Sequence, residues 1–232
     1  MIKAVLFDLD NTLIDFMKVK QKSVDAAINA MLAAGVKLKK KEATKILYKI
    51  YWKHGIEHQH IFQKFLRRVL GKLDYKALAG GIVAYRKTQA GILFPYSDVI
   101  PTLKKLRRQR LKLAIVSDAP RLKAWIRLVE LGIQDYFDVV VCHEDTGSYK
   151  HTGLPFKRAL KLLQLKPAEC LMIGDWPERD IVGAKKLGIK TIFAQYGATK
   201  KISKSGADFD IDSVSEVVRV VRRLNSKATK TK

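Results

Sequence analysis

Two carboxylates that lie two residues apart are the side chains of this sequence best suited to chemistry. Asp8 and Asp10 follow an apolar run at residues 2–7, which is typical of a strand that is buried on both faces. Residues i and i+2 of a strand share a face, so both carboxylates would point into one crevice. Such a pair repels unless a cation or a shared proton relieves it. A turn at Asp10-Asn11 after a strand end would explain the same residues without chemistry.

Three more polar side chains follow later strand patterns, and a lysine lies between two of these strands. Ser117 ends the second pattern, and Asp175 ends the fourth, with Asp180 shortly after it. Lys150 lies between the third and the fourth pattern. Ligand sites of open parallel sheets lie at the carboxyl ends of the strands. Several carboxylates, a hydroxyl and an ammonium in one crevice suit a bound magnesium ion and a phosphoryl group.

The elements that must position these groups alternate along most of the chain. Apolar runs predict five strands, at residues 2–7, 111–116, 136–141, 170–173 and 189–194. Helical patterns separate the later strands. This alternation predicts an α/β fold, a parallel Rossmann-like sheet with helices on both faces.

Residues 17–91 interrupt the alternation with four helical patterns and no strand pattern. Their apolar residues recur at i, i+3 and i+4, and Gly35 and Gly71 mark two helix ends. Short connections indicate an antiparallel four-helix bundle. We therefore predict a core domain of residues 1–15 and 93–232, and an inserted helical cap domain of residues 16–92.

Two helical patterns of the core have further features. The helix after Asp118 carries four apolar residues on one side, namely Leu122, Trp125, Ile126 and Val129. The last helix is predicted from Ser213 to Leu224, and residues 226–232 are predicted to be a disordered basic tail.

Composition narrows the class of protein. The chain has 232 residues, of which 47% are hydrophobic, enough for a sizeable core. No apolar run approaches the roughly 18 residues of a membrane span, so we expect no membrane association. Asp8 and Asp10 interrupt the N-terminal apolar run, so we expect no signal peptide. The two cysteines, Cys142 and Cys170, are typical of a reduced, cytoplasmic protein.

The charge of the chain favours anionic partners. Lys and Arg number 45 against 22 Asp and Glu, a formal net charge of +23. Phosphorylated substrates, nucleic acid and acidic surfaces all fit this balance. Basic residues do not interleave with aromatic ones, and no nucleic-acid-binding motif is present. We expect nucleic-acid binding to be weak, salt-sensitive and independent of sequence.

The motifs together resemble those of the haloacid dehalogenase-like hydrolases, in the subfamily whose helical cap follows the first strand. Asp8-Leu9-Asp10-Asn11-Thr12 matches the first motif, Asp-x-Asp-x-Thr. Ser117 matches the second motif and Lys150 the third, while Gly174-Asp175 with Asp180 matches the fourth. The four motifs occur in order, and the resemblance covers essentially the whole chain.

The resemblance implies a role for each motif residue. Asp8 would attack phosphorus as the nucleophile, and Asp10 would act as acid and then as base. Asp8, Asp175 and the backbone carbonyl of Asp10 would hold Mg²⁺. The substrate phosphate would be bound by Thr12, Ser117, Asp118 and Lys150. Asp180 would be an auxiliary residue that orients Lys150 or supports the metal.

The sequence departs from the family pattern at three places. His151-Thr152-Gly153 replaces the Pro-Asp-Pro-like run after the lysine, Trp176 replaces a common Ser, and Asp118 stands where many members carry Asn. Structural roles also remain open for two motif residues. Ser117 could cap a helix, and Asp180 could complement a helix N-terminus.

The predicted function is a magnesium-dependent phosphatase of a small phosphorylated metabolite, of the phosphoglycolate, glyceraldehyde phosphate or sugar phosphate type. A phosphomutase or a nucleotidase would share all four motifs. Asp10 argues against a dehalogenase, which lacks the second aspartate of the first motif. From another class, the charge leaves a basic nucleic-acid-binding protein as an alternative.

Overall fold

The structure, a computed structural model, describes residues 1–229. The chain divides into two compact units, residues 1–15 with 94–232 and residues 16–93. No helix within the described residues combines the length and the hydropathy that a membrane span requires.

The first strand lies inside a parallel sheet of the first unit. The six strands found among the described residues are β1 (Ala4–Phe7), β2 (Lys112–Val116), β3 (Val139–Val141), β4 (Cys170–Gly174), β5 (Lys190–Ala194) and β6 (Phe209–Ile211). Their order in the sheet is β3-β2-β1-β4-β5-β6, and every pair is parallel. In register, Phe7 pairs with Ile115 of β2 and with Ile173 of β4. The carboxyl ends of β1, β2 and β4 therefore lie side by side at one edge.

The predicted α/β fold is confirmed, and so are the five predicted strands. β1 is buried along its whole length, as its continuous apolar run predicts for a strand covered on both faces. β6 was not predicted, because it is a three-residue edge strand in which Asp210 interrupts the apolar pattern.

Helices of the same unit cover this sheet. They are α5 (Val99–Arg108), α6 (Arg121–Glu130), α7 (Leu154–Leu163), α8 (Val182–Lys185) and α9 (Glu216–Thr229), with a π-helical turn at Pro177–Ile181 before α8. Phe156 and Leu160 of α7 pack against alternate strand residues such as Leu6 and Met172.

The orientation of α6 differs from that of an ordinary amphipathic helix. Its apolar side is exposed, to 70% at Leu122 and 60% at Val129, and its buried residues are Ala124, Arg127 and Leu128. Periodicity shows which residues share a side, but tertiary contacts decide which side faces the core.

The last helix extends further than predicted. α9 continues to Thr229, so residues 226–229 belong to a helix and the predicted disorder there is wrong. The remainder of the predicted tail, residues 230–232, lies outside the described residues.

The second unit, residues 16–93, is helical. Its helices are α1 (Phe16–Ala33), α2 (Lys40–His54), α3 (Ile61–Leu70) and α4 (Tyr75–Ile92). Residues such as Ile28, Leu47 and Phe65 form its core. Asp74 caps α4 by accepting a hydrogen bond from the Ala77 N–H at 3.0 Å, and Gly71 ends α3 in the left-handed conformation.

Candidate active site

Three carboxylates converge at the carboxyl ends of β1 and β4. Asp8, Asp175 and Asp180 are all buried, and each offers an oxygen within 4.8 Å of those of the other two. The pairing of the two strands causes this, since the Asp8 N–H continues the ladder by donating to the Ile173 carbonyl at 2.9 Å.

A buried ammonium group lies among these carboxylates. Lys150 is 3% exposed, and its Nζ contacts Oδ1 of Asp8 and, at 2.5 Å, Oδ1 of Asp180. The Lys150 N–H donates to Oδ1 of Asp118 at 2.8 Å, which fixes the backbone at this position. A side chain at Gly183 would collide with the Lys150 carbonyl, because its Cβ would lie 1.9 Å from that oxygen. Glycine at position 183 is therefore required for this lysine to reach the cluster.

A second close approach places Asp180 beside the end of β4. A Cβ at Gly174 would lie 2.3 Å from Cγ of Asp180, so only glycine leaves room for this carboxyl group. Oδ2 of Asp180 accepts a hydrogen bond from the Trp176 N–H at 2.9 Å. The π-helical turn at Pro177–Ile181 carries Asp180, so Asp180 lies in the site and is not only a partner for a helix N-terminus.

The electrostatics of the cluster reflect an excess of negative charge. Burial, together with the charges of Asp8 and Asp180, raises the pKa of Asp175 to about 9. Burial also raises the pKa of Asp180 to about 7, against the opposing effect of Lys150. For Lys150, burial lowers the pKa, but the charges of Asp180 and Asp8 outweigh it and hold the pKa above its ordinary value. The proton of the Asp175 carboxyl group is hard to remove, because the single ammonium of Lys150 cannot balance three carboxylates.

The donor set fits a hard divalent cation. Its ligands would be carboxylate oxygens, which Mg²⁺ and Ca²⁺ prefer over nitrogen and sulfur. A cation beside Asp8 and Asp175 would relieve the repulsion that raises the pKa of Asp175. The described residues therefore supply both the ligand type and the electrostatic demand for a metal ion.

Two residues predicted to bind the substrate phosphate support the site from within the protein. The Thr12 hydroxyl donates to Oδ2 of Asp8 at 3.2 Å. Asp118 accepts from the Lys150 N–H through Oδ1 and from Nη1 of Arg179 through Oδ2, at 3.0 Å. A carboxylate also repels a phosphate, so these contacts favour a supporting role for Asp118 over the predicted phosphate contact.

Ser117 lies at the end of β2, as predicted. Its Oγ accepts a hydrogen bond from the Ala119 N–H at 3.1 Å, which closes a local turn. The alternative that Ser117 caps a helix is wrong, because Pro120 is the N-cap residue of α6 and Ala119 precedes that helix. The hydroxyl hydrogen is not used in that bond and can still be donated to a phosphoryl oxygen. The local turn and the predicted phosphate contact of Ser117 are therefore compatible with each other.

Asp10 is placed apart from the three-carboxylate cluster. Its Oδ2 accepts from Nη1 of Arg127 of α6 at 2.9 Å. Sequence reasoning missed Arg127, because an arginine opposite an apolar helix side is usually solvated.

Arg179 is a second residue that sequence reasoning missed. Besides its bond to Asp118, its guanidinium lies over the Trp176 ring, 4.2 Å from the centroid, and 5.2 Å from that of Tyr149. Trp176, which follows Asp175 of the fourth motif, is half-exposed. The departure from the common Ser at this position thus supplies a ring that holds Arg179.

Comparison with known proteins assigns this geometry to a family. A family model described as haloacid dehalogenase-like hydrolase matches residues 2–188. The chain belongs to this family of hydrolases. The matched residues include all four motifs and the whole of the second unit.

Two curated relatives of this hydrolase carry the same name. The glyceraldehyde 3-phosphate phosphatase of Methanocaldococcus jannaschii is 35% identical over 225 residues, which cover 97% of this chain and 99% of that protein. The enzyme of the same name from Methanopyrus kandleri is 36% identical over 230 residues, with the same coverage of both chains.

A solved structure has the same fold. The crystal structure of a HAD phosphatase from Thermococcus onnurineus superposes with a TM-score of 0.70 at 24% identity, covering 95% of this chain and 98% of that one. The relatives thus match the hydrolase from end to end, and not only at its motifs.

Proposed function

We propose that this hydrolase is a magnesium-dependent phosphatase that cleaves a small phosphorylated metabolite through an aspartyl-phosphate on Asp8. One observation carries the proposal: the Asp8 carboxylate is buried between the Lys150 ammonium and two further carboxylates. Thr12 and Lys150 each contact one of its two oxygens, which fixes the carboxylate for attack.

In the first step, an oxygen of Asp8 attacks phosphorus, and the bond from phosphorus to the leaving oxygen breaks. Asp10 gives its proton to that oxygen, so that the product leaves as an alcohol. In the second step, Asp10 takes a proton from water as the water attacks phosphorus of the aspartyl-phosphate. Inorganic phosphate leaves, and Asp8 is regenerated.

The metal-binding residues would be Asp8, Asp175 and the backbone carbonyl of Asp10. When bound, magnesium would neutralise charge on the phosphoryl oxygens and on the carboxylates around it. Asp180 remains the partner of Lys150, and it keeps the ammonium aimed at the oxygen of Asp8.

Charge that develops on the phosphoryl group would be stabilised by two side chains of this chain. Lys150 supplies a buried ammonium, and Ser117 supplies a hydroxyl at the end of the neighbouring strand. Donors that are fixed before the reaction lower its barrier more than mobile ones, because they need no reorganisation.

Glyceraldehyde 3-phosphate is the substrate that we propose first. The support comes from two relatives that are named for that activity. This chain aligns with nearly the whole length of both. We also propose that residues 16–92 form a cap domain that selects the leaving group and limits the site to small substrates. The relatives align through this segment as well, which supports a shared leaving group.

The test is a phosphate-release assay over a panel of phosphorylated metabolites, first with Mg²⁺ and then with excess EDTA. We expect release from small phosphomonoesters, with glyceraldehyde 3-phosphate among the best, and its loss in EDTA. Asp8→Asn, which keeps the size of the side chain, is the matched control and should release no phosphate. Full activity in EDTA, or a preference for phosphoproteins or DNA ends, would contradict the proposal.

A further inference from the structure

Arg127 carries a charge that the fold buries at a cost. The residue is 4% exposed, although it lies on a helix with four large apolar residues on its other side. Burying a guanidinium is unfavourable unless the group is paired and hydrogen-bonded. The opposite orientation of α6 would bury Leu122 and Val129 and leave Arg127 in water. The observed orientation therefore needs a compensating contact at Arg127.

Asp10 provides that contact. Nη1 of Arg127 donates to Oδ2 of Asp10 at 2.9 Å, across 117 residues of sequence. Asp10 follows the carboxyl end of β1, so the guanidinium lies at the same edge of the sheet as the motif residues. The buried side of α6 thus faces the first motif.

The Asp10 side chain is more exposed than that of Asp8 and lies beyond the end of β1. It is 21% exposed, against 7% for Asp8, and Asn11 beside it has a left-handed backbone with φ of 61°. The carboxyl group therefore stands on a turn, where the strand no longer fixes it. The planar donor fork of arginine holds a carboxylate in one orientation better than an ammonium does.

We propose that Arg127 is a positioning residue that fixes the carboxyl group of Asp10 for proton transfer to the leaving oxygen. The inference rests on the proposed function, since it assigns Asp10 the proton. Arg127 holds Oδ2, and the proton would be carried on the other oxygen, Oδ1. A displacement of a reacting group by about 1 Å costs on the order of 10²-fold in rate.

The experiment compares two substrates in five forms of the full chain with Mg²⁺. The forms are the wild type, Arg127→Met, Arg127→Lys, Asp10→Asn and the double variant Asp10→Asn/Arg127→Met. Glyceraldehyde 3-phosphate has a poor alkoxide leaving group and needs the acid, whereas p-nitrophenyl phosphate needs little protonation.

We expect Arg127→Met to lower kcat on glyceraldehyde 3-phosphate by about 10²-fold, with KM little changed and a much smaller loss on p-nitrophenyl phosphate. Arg127→Lys should recover part of the loss. The double variant should be no slower than Asp10→Asn on the first substrate, because the two residues act as one unit.

Arg107→Met is the matched control, since it breaks another Arg–Asp pair of the first unit, in which Nη1 lies 2.6 Å from Oδ2 of Asp138. It should leave the ratio of the two rates unchanged. Equal losses on both substrates in Arg127→Met, additive losses in the double variant, or a faster Arg127→Met would each overturn the positioning role.

Three further outcomes are decisive. If Arg127→Met does not fold, Arg127→Lys decides alone, because it keeps the charge: a loss confined to glyceraldehyde 3-phosphate supports the role, and equal losses on both substrates overturn it. A wild type that releases phosphate from neither substrate overturns the proposed function, and this inference with it. If the wild type turns over both substrates and the Arg127 variants lose the same activity on each, only the positioning role is overturned.

Discussion

Two groups of buried charge lie beside the carboxyl end of β1, and they are balanced differently. Asp8, Asp175 and Asp180 share one ammonium, that of Lys150. Asp10 instead pairs with Arg127 on the other side of the same motif. The first group has more anions than cations, while the ion pair between Arg127 and Asp10 joins one of each.

The difference separates two uses of charge in one motif. An excess of carboxylates raises their pKa values and creates demand for an external cation. A matched pair creates no such demand, but it fixes the position of a side chain. Asp8 and Asp10 are two residues apart, and the two sets of partners give them separate tasks.

The largest effect should come from the unbalanced group. Asp8→Asn removes the attacking oxygen, so we expect a loss of at least about 10⁴-fold on every substrate, as for other catalytic nucleophiles. Rapid-quench labelling with an activated phosphate ester should find no phosphoenzyme. If Asp8→Asn forms a labelled phosphoenzyme and Asp10→Asn does not, the roles of nucleophile and of acid and base are reversed.

Asp10→Asn should have the next largest effect, and it should depend on the substrate. We expect a loss of about 10²–10⁴-fold with an alkoxide leaving group and a smaller loss in the first step with nitrophenolate. We expect phosphoenzyme to accumulate in the rapid-quench assay, because hydrolysis then lacks its base. Equal losses on both leaving groups would remove the proton-transfer role from Asp10.

Stability should respond to Lys150 and Asp175 in opposite directions. Lys150→Met leaves three buried carboxylates without their ammonium, so we expect destabilisation of about 3–5 kcal/mol. Asp175→Asn removes one of the mutually repelling groups, so the metal-free protein should become more stable at pH 8 while activity is lost. Urea unfolding with EDTA measures both changes. A Lys150→Met variant that is more stable than the wild type would contradict the excess of negative charge in the three-carboxylate cluster.

The pH dependence of the metal-free protein should show the same imbalance with a smaller amplitude. Burial and neighbouring carboxylates raise the pKa of Asp175 to about 9, and burial raises that of Asp180 to about 7, from an ordinary value of 3.8. The folded state thus binds these protons more tightly, and its stability should be fully present below pH 4 and fall as the pH rises through 7 and 9. Urea unfolding in EDTA from pH 5 to 9 measures this slope. Saturating Mg²⁺ should flatten it, and a rising slope would contradict the prediction.

The fold was largely predictable from the sequence, because its strongest signals are local. Buried parallel strands are continuous apolar runs, and five of them could be recognised before the structure was known. β6 could not, since three residues at a sheet edge carry no run. The family resemblance to haloacid dehalogenase-like hydrolases is confirmed by the match over residues 2–188.

The site was predictable to the extent that it depends on strand ends. Motif residues at the ends of β1, β2 and β4 had to meet, because parallel strands share their carboxyl edge. Arg127 and Arg179 reach the site from a helix and a turn, and no local pattern marks them. The orientation of α6 depends on a contact across 117 residues, which periodicity cannot encode.

The interior position of β1 has a consequence for the order in which the chain can fold. Its partners β2 and β4 begin more than 100 and more than 160 residues later, at Lys112 and Cys170. A growing chain of 232 residues therefore carries β1 without β2 for nearly half of its synthesis and without β4 for longer, and pairing over such separations is slow. Until those strands are made, the sheet cannot bury the apolar residues of β1, Val5 to Phe7. Residues 16–93, which lie between β1 and β2 in sequence, form their helices from contacts that are closer in sequence. Once folded, this segment shortens the length of flexible chain between the two strands.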